Sequence, residues 1–229
     1  MQRHHARPLG TCRDAHFTPS PAERFRMSVL RILQKKNPID RITLDSVAIP
    51  IRTDEFHSNR IIDAIQNLED TMRHAHGCGI AAPQIGMNRR IILVEDLAEY
   101  MDGIPEHVLA AMGRTPFARM ILINPVITIV DAEDVFLFEG CLSHSSVELG
   151  VVPRAKTIHV VAFNESGEPL SFDATGMLAR IIQHEVDHLD GVCIDTKALP
   201  NTWVALDDYK AIWRGCPPDE IKRAFYRAA

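Results

Sequence analysis

A chain of 229 residues with 46% hydrophobic and 24% charged side chains has the apolar content for one sizeable core. Its formal net charge of -5 argues against attraction to DNA or RNA by the protein as a whole. No run approaches the roughly 18–20 apolar residues needed to cross a bilayer, so no membrane partner is expected. The five cysteines are odd in number and widely spaced, which excludes a disulfide framework.

Residues 1–26 are rich in Arg, His and Pro and lack the apolar core of a secretory signal. Their basic character raises an organelle transit peptide, but Pro8, Pro19 and Pro21 argue against a long amphipathic helix there, and the preferred reading is a flexible extension with Met27 as an alternative start. From Ser58, a candidate cap, Ile61, Ile65, Leu68 and Met72 fall on one helical face, and Gly77 is placed to end that helix in a left-handed conformation. Short β-like runs follow at Arg90–Val94, Met120–Asn124, Val126–Val130, Val135–Phe138, Thr157–Phe163 and Leu170–Phe172, with a hairpin turn at Asn164–Pro169. Between them Leu97–Ala118, punctuated by Gly103, Pro105, Gly113 and Pro116, is expected to be a surface excursion with one short helix. Residues 176–190 are helical again, closed by Gly191, and Pro217–Ala229 forms a terminal helix.

The sharpest motif is His184-Glu185-Val186-Asp187-His188. Histidines at i and i+4 lie one turn apart on one face, so both rings reach one cation, with Glu185 beside them to hold a proton. Leu178, Ile182 and Leu189 form an adjacent apolar strip that buries the helix and keeps bulk water out. A solvated helix face would also explain two histidines. Cys141, in Glu139-Gly140-Cys141-Leu142-Ser143 after an apolar strand, is the best candidate for a third ligand, against the alternative of a buried core thiol. A thiolate with two imidazoles leaves a fourth position open, the arrangement of a catalytic zinc-type site. Gly77–Gln84 supplies small residues for close approach and an amide donor, or is simply a tight connection.

In this order, Gly77–Gln84, Glu139–Ser143 and Gln183–His188 resemble the three motifs of the peptide deformylase family, and the resemblance spans about residues 28–195. It implies an α+β fold, with antiparallel sheets packed around a central metal-binding helix. It implies a catalytic domain over residues 27–200, followed by a tail over 201–229. The activity implied is metal-dependent hydrolysis of the N-formyl group from the N-terminal methionine of new polypeptides. Cys141, His184 and His188 match the metal ligands, and Glu185 the proton shuttle. The Gln84 amide and the Leu142 backbone N–H match the oxyanion donors. Gly79, Leu137, Glu139 and Gly140 are expected to bind substrate. The family further points to ferrous iron (Fe2+), with zinc (Zn2+) or nickel (Ni2+) able to substitute; the ligand set alone mildly favours zinc. Partners would be formylated nascent peptides and, transiently, the ribosome, in the bacterial cytoplasm or an organelle. Lys222, Arg223 and Arg227 could touch ribosomal RNA but read better as a solvated helix face.

The chain also departs from the family. His144-Ser145-Ser146-Val147-Glu148 lacks an arginine usual near the bound peptide, and Lys35-Lys36 stands where a glycine is common. Leu97–Ala118 is longer than the matching loop in compact members and is expected to supply no ligands. Three competing readings are a zinc endopeptidase, a cysteine hydrolase pairing Cys141 with His184, and a deformylase-like binding module without turnover.

Overall fold

The computed structural model describes residues 29–226; the extension 1–26, Met27 and Arg227 lie outside the described residues. Helix α1 (Pro38–Leu44) starts where Pro38 fixes the first turn and the Asn37 side chain accepts the Ile39 N–H at 2.9 Å. Helix α2 (Asn59–His74) buries Ile61, Ile65, Leu68 and Met72, as their spacing requires. Each such burial contributes roughly 1.5–3 kcal/mol. Two details of its ends differ from expectation. The Ser58 hydroxyl donates to the Glu55 carbonyl at 2.6 Å and makes no cap bond. The left-handed residue is His76 (φ 53°), not Gly77. Gly77 is needed for space instead, since a Cβ there would lie 3.1 Å from a methyl of Leu142.

The sheet is antiparallel and ordered β1 (Gly79–Ala81), β2 (Ile91–Asp96), β3 (Phe117–Cys141), β4 (Ser145–Phe163) and β5 (Pro169–Thr175), with β6 (Val204–Ala205) paired to β4. Three of the predicted runs are one 25-residue strand, β3. Register shifts between Ile123 and Val126 and again around Asp131 divide its apolar pattern into segments that look separate in sequence. At the first shift Asn124 adopts φ 52° and its amide both accepts from and donates to the Ile51 backbone, at 2.8 and 2.7 Å.

Helix α4 (Gly176–Leu189) packs against β1, β2, β4 and β5, burying Ile182 and Leu189 completely, and Gly191 beyond it takes φ 74°. The architecture is α+β, as expected. The segment 97–118 is not a mere surface excursion. Its helix α3 (Glu106–Met112) buries Val108 and Met112 in a cluster with Phe136, Phe138 and Ile221. Ile104, Val108 and Met112 recur every four residues, an apolar stripe masked by the flanking Gly and Pro.

After β6 the chain makes one α turn, α5 (Leu206–Asp208), then a π-helical turn (Tyr209–Trp213), and ends in α6 (Pro218–Phe225). Lys222 and Arg223 of α6 are exposed, consistent with a solvated face. Among the described residues no helix is long and apolar enough to cross a membrane.

Candidate metal centre

Strand β3 ends at Cys141, and Leu142, Ser143 and His144 turn the chain into β4, where Cys141 pairs with Ser145. Helix α4 crosses behind this hairpin and presents His184 and His188. One donor atom from each of Cys141, His184 and His188 lies within 4.8 Å of the others, and all three residues are buried. The Cys141 Sγ is 3.3 Å from Nε2 of His188, and the two imidazoles meet edge to face with centroids 5.1 Å apart.

The far nitrogen of each ring is occupied. Nδ1 of His184 meets the Glu139 carboxylate at 2.9 Å, and Nδ1 of His188 faces the Cys193 thiol at 3.7 Å. Such partners fix the tautomer and leave Nε2 of both rings for a cation. This donor set, one soft thiol and two imidazoles, suits a borderline divalent ion.

Glu139 is held by more than His184. Arg154 donates to both its oxygens at 3.0 and 2.9 Å, and Arg180 donates to Oε1. Burial alone would raise the Glu139 pKa, but the two guanidiniums and the His184 hydrogen bond hold it well below the usual carboxylate range. Burial also lowers Arg180. For His184 burial is outweighed by Cys141 and Glu139, which push it well above an ordinary imidazole. His188 is driven well below by burial and by the neighbouring His184.

Glu185 is only 4% exposed, and its Oε2 has no hydrogen-bond partner. Burial pushes its pKa up to about 7, against the opposing pull of His184 and Arg154. A buried carboxylate with a free oxygen beside the Cys/His/His group is a proton acceptor without a protein donor. This orphan oxygen and the converging donors together fit a bound cation with a water near it. Gln84, 1% exposed, accepts the Ala81 N–H at 2.8 Å and donates to the Ser143 hydroxyl at 3.2 Å, so its amide is locked in orientation.

A cavity of about 650 Å³ opens onto the group. Gln84, Gly79, Glu139, Gly140, Leu142, His184 and Glu185 all line it. Leu137 does not: the β3 lining begins at Phe138, and Leu137 faces a small void beside Arg154 and Arg180. Glu139 reaches the cavity, and its carboxylate is engaged by Arg154, Arg180 and His184. Sequence reasoning missed Arg154 and Arg180 as supports. An arginine inside the apolar stripe of α4 was the available signal, because a charge survives there only when paired. It also missed that Glu99, Tyr100, Ile104, Met112 and Arg114 of the 97–118 segment reach the cavity wall; none of them belongs to the Cys/His/His group.

An α+β fold that brings one thiol and two imidazoles to a single point, beside a buried carboxylate, is the framework of a mononuclear metalloprotein. Residues 29–201 match the polypeptide deformylase family, and the chain belongs to it. It is 39% identical over 172 residues to the peptide deformylase of Carboxydothermus hydrogenoformans, covering 75% of this chain and 95% of that one. It is 37% identical over 168 residues to tomato chloroplastic peptide deformylase 1A, covering 73% of this chain. This chain spans 60% of the tomato protein's length. Among solved structures, the Met-Ala-Ser-bound class I type b peptide deformylase of Acinetobacter baumannii aligns with a TM-score of 0.65 and 29% identity, over 75% of this chain and 99% of that one.

Proposed function

We propose that the protein removes the N-formyl group from the N-terminal methionine of newly synthesised polypeptides. Cys141, His184 and His188 would hold one divalent cation, natively Fe2+, with Zn2+ or Ni2+ able to take its place. The observation that carries this reading is the Cys/His/His convergence next to a buried carboxylate with one oxygen free.

When bound, such a cation supplies Lewis acidity and lowers the pKa of water toward about 7. The chain's own residues do the rest. Glu185 takes the proton of the attacking water and returns it to the leaving nitrogen, so that the formamide C–N bond breaks to give formate and a free amine. The Gln84 amide and the Leu142 N–H stabilise the developing oxyanion, each donor of this kind contributing about 2.7–4 kcal/mol. Gly79 and Gly140 let the peptide backbone approach, and Glu139, clamped by Arg154 and Arg180, orients His184.

Substrates would be formylated nascent chains met transiently at the ribosome, in the bacterial cytoplasm or in an organelle. Relatives from tomato and Arabidopsis carry chloroplastic and chloroplastic/mitochondrial names.

The test compares a formyl-Met peptide with an unformylated peptide, using ferrous protein under anaerobic conditions. Release of formate, abolished by chelation and restored by metal, is expected. Cleavage at internal bonds would indicate an endopeptidase. Activity that survives chelation but not thiol alkylation would indicate a cysteine hydrolase. No turnover at all with metal bound would leave a binding module.

A further inference from the structure

Residues 30–34 form neither helix nor strand, yet with Lys35 they bond to two segments that flank the metal centre. Three consecutive residues make the connection. The Leu33 N–H donates to the Gln84 carbonyl at 2.8 Å, the Gln34 side-chain amide to the Leu142 carbonyl at 2.9 Å, and the Lys35 N–H to the Ser143 carbonyl at 2.7 Å. The two segments also meet directly, through the 3.2 Å bond from the Gln84 amide to the Ser143 hydroxyl. Gln84 and Ser143 are 59 residues apart in sequence, so no local backbone geometry sets the distance between them. Residues 33–35 brace that gap.

The brace is itself fixed. Buried Asp40, on α1, accepts the Gln34 N–H at 2.8 Å and two bonds from the Arg31 guanidinium, at 2.7 and 2.6 Å. The Leu30 N–H donates to the hydroxyl of Thr71, buried on α2, at 3.0 Å. Of the three bonds across the gap, two come from the backbone, and any residue but proline makes them. Only the Gln34 bond depends on the side chain. The second N–H of that amide reaches the Ile32 carbonyl at 3.3 Å, which sets its rotation.

We propose that Gln34 is a positioning residue for the oxyanion donors: by holding the Leu142 carbonyl it sets the turn after β3 so that the Leu142 N–H and the Gln84 amide converge on one point. This rests on the deformylase reading, which takes those two groups as the donors. Gln34 neither lines the cavity nor belongs to the Cys/His/His group, so it acts through Leu142. A donor displaced by about 1 Å costs about 100-fold in rate. With both backbone bonds retained the displacement is smaller, and the expected loss is about tenfold.

The experiment compares metal-loaded full chains carrying Gln34→Met or Gln34→Glu with the parent, on a formyl-Met tripeptide. Methionine keeps the bulk and an ionised glutamate keeps the shape, and neither donates. In both, kcat should fall about tenfold with KM within twofold and metal content unchanged, because the donors act on charge that develops in the transition state. Gln34→His restores a nitrogen donor at similar reach and should regain most of the loss. A second readout needs no turnover. Amide hydrogen exchange at Leu142 and Ser143 should quicken about tenfold in Gln34→Met, the worth of roughly one hydrogen bond. Val160 and Phe172, paired in the sheet, should keep the parental rates. A kcat within twofold of the parent in both variants, or a loss matched by lost metal or by a raised KM, overturns the proposal. So does unchanged exchange at Leu142 and Ser143. A parent chain that releases no formate sinks the deformylase reading instead, and the exchange rates then decide by themselves whether Gln34 holds the turn.

Discussion

Gly79 carries the sharpest steric prediction. A Cβ built there lies 2.9 Å from both Cδ of Glu185 and Cγ2 of Ile181, and closer still to Oε1 of Glu185. The carbon contacts fall roughly 0.6 Å inside the near edge of optimal packing. Neither wall yields easily, because Gly79 is paired with Val94 in the sheet and Ile181 is buried on α4. Gly79 is not among the positive-φ glycines, so alanine carries no backbone penalty and the whole effect is contact. The carboxylate must therefore swing away. Gly79→Ala is expected to cost roughly 1–3 kcal/mol through overpacking, and about 100-fold in kcat/KM from a displacement near 1 Å. Formate release and thermal midpoint measure the two separately. Shortening the acid in Gly79→Ala/Glu185→Asp should regain part of the lost midpoint without regaining activity, the non-additivity expected of residues in contact. A single variant with kcat/KM within threefold of the parent and an unmoved midpoint would refute the reasoning.

Two further outcomes are expected. Glu185→Gln keeps shape and metal but removes the proton acceptor, so turnover should fall by roughly 100- to 10,000-fold with metal content, measured by atomic emission, unchanged; near-parent turnover would remove Glu185 from the mechanism. Asp40 accepts two hydrogen bonds from Arg31 and one from the Gln34 N–H, and the Arg31 bond leads the causes that lower its pKa to about 2. A depressed carboxylate stabilises the fold above its unfolded value, near 3.8, and that contribution is lost as pH falls through about 2. Asp40→Asn should thus lower the thermal midpoint at neutral pH, with the gap to the parent closing between pH 4 and 2. A gap independent of pH would show that Asp40 acts by packing alone.

Helix α4 is legible because periodicity and chemistry coincide in it: Ile182 and Leu189 mark the buried side, and His184 and His188 lie one turn apart. Cys141 was legible only through its company, for a single thiol after an apolar run has no signature of its own. Strand β3 looks like three pieces in sequence because Asn124-Pro125 and the shift near Asp131 interrupt alternation without ending hydrogen bonding. The walls from 97–118 and 204–214 stayed hidden for a different reason. Their apolar residues, Ile104, Val108, Met112, Tyr209 and Trp213, pack onto Phe136 and Phe138 from distant parts of the chain. No local pattern encodes such a meeting.

Several buried charges lie beneath the centre, and their role is geometric. Cys141 and His188 are 47 residues apart and sit on a strand and a helix whose apolar contacts could slide. Hydrophobic burial is non-directional and tolerates such sliding. Glu139 is two residues before Cys141, and its carboxylate engages both His184 and Arg180 of α4; Arg154 of β4 bridges Glu139 to Asp187, also on α4. Strand, hairpin partner and helix are therefore tied by directional hydrogen bonds close to Cys141, His184 and His188. A buried ion cluster gains little net stability over apolar packing, and breaking one member costs about 3–5 kcal/mol. What it supplies instead is angular definition, because forked guanidinium–carboxylate pairs tolerate few orientations. A thiol and two imidazoles that converge on one point need that definition more than they need additional burial.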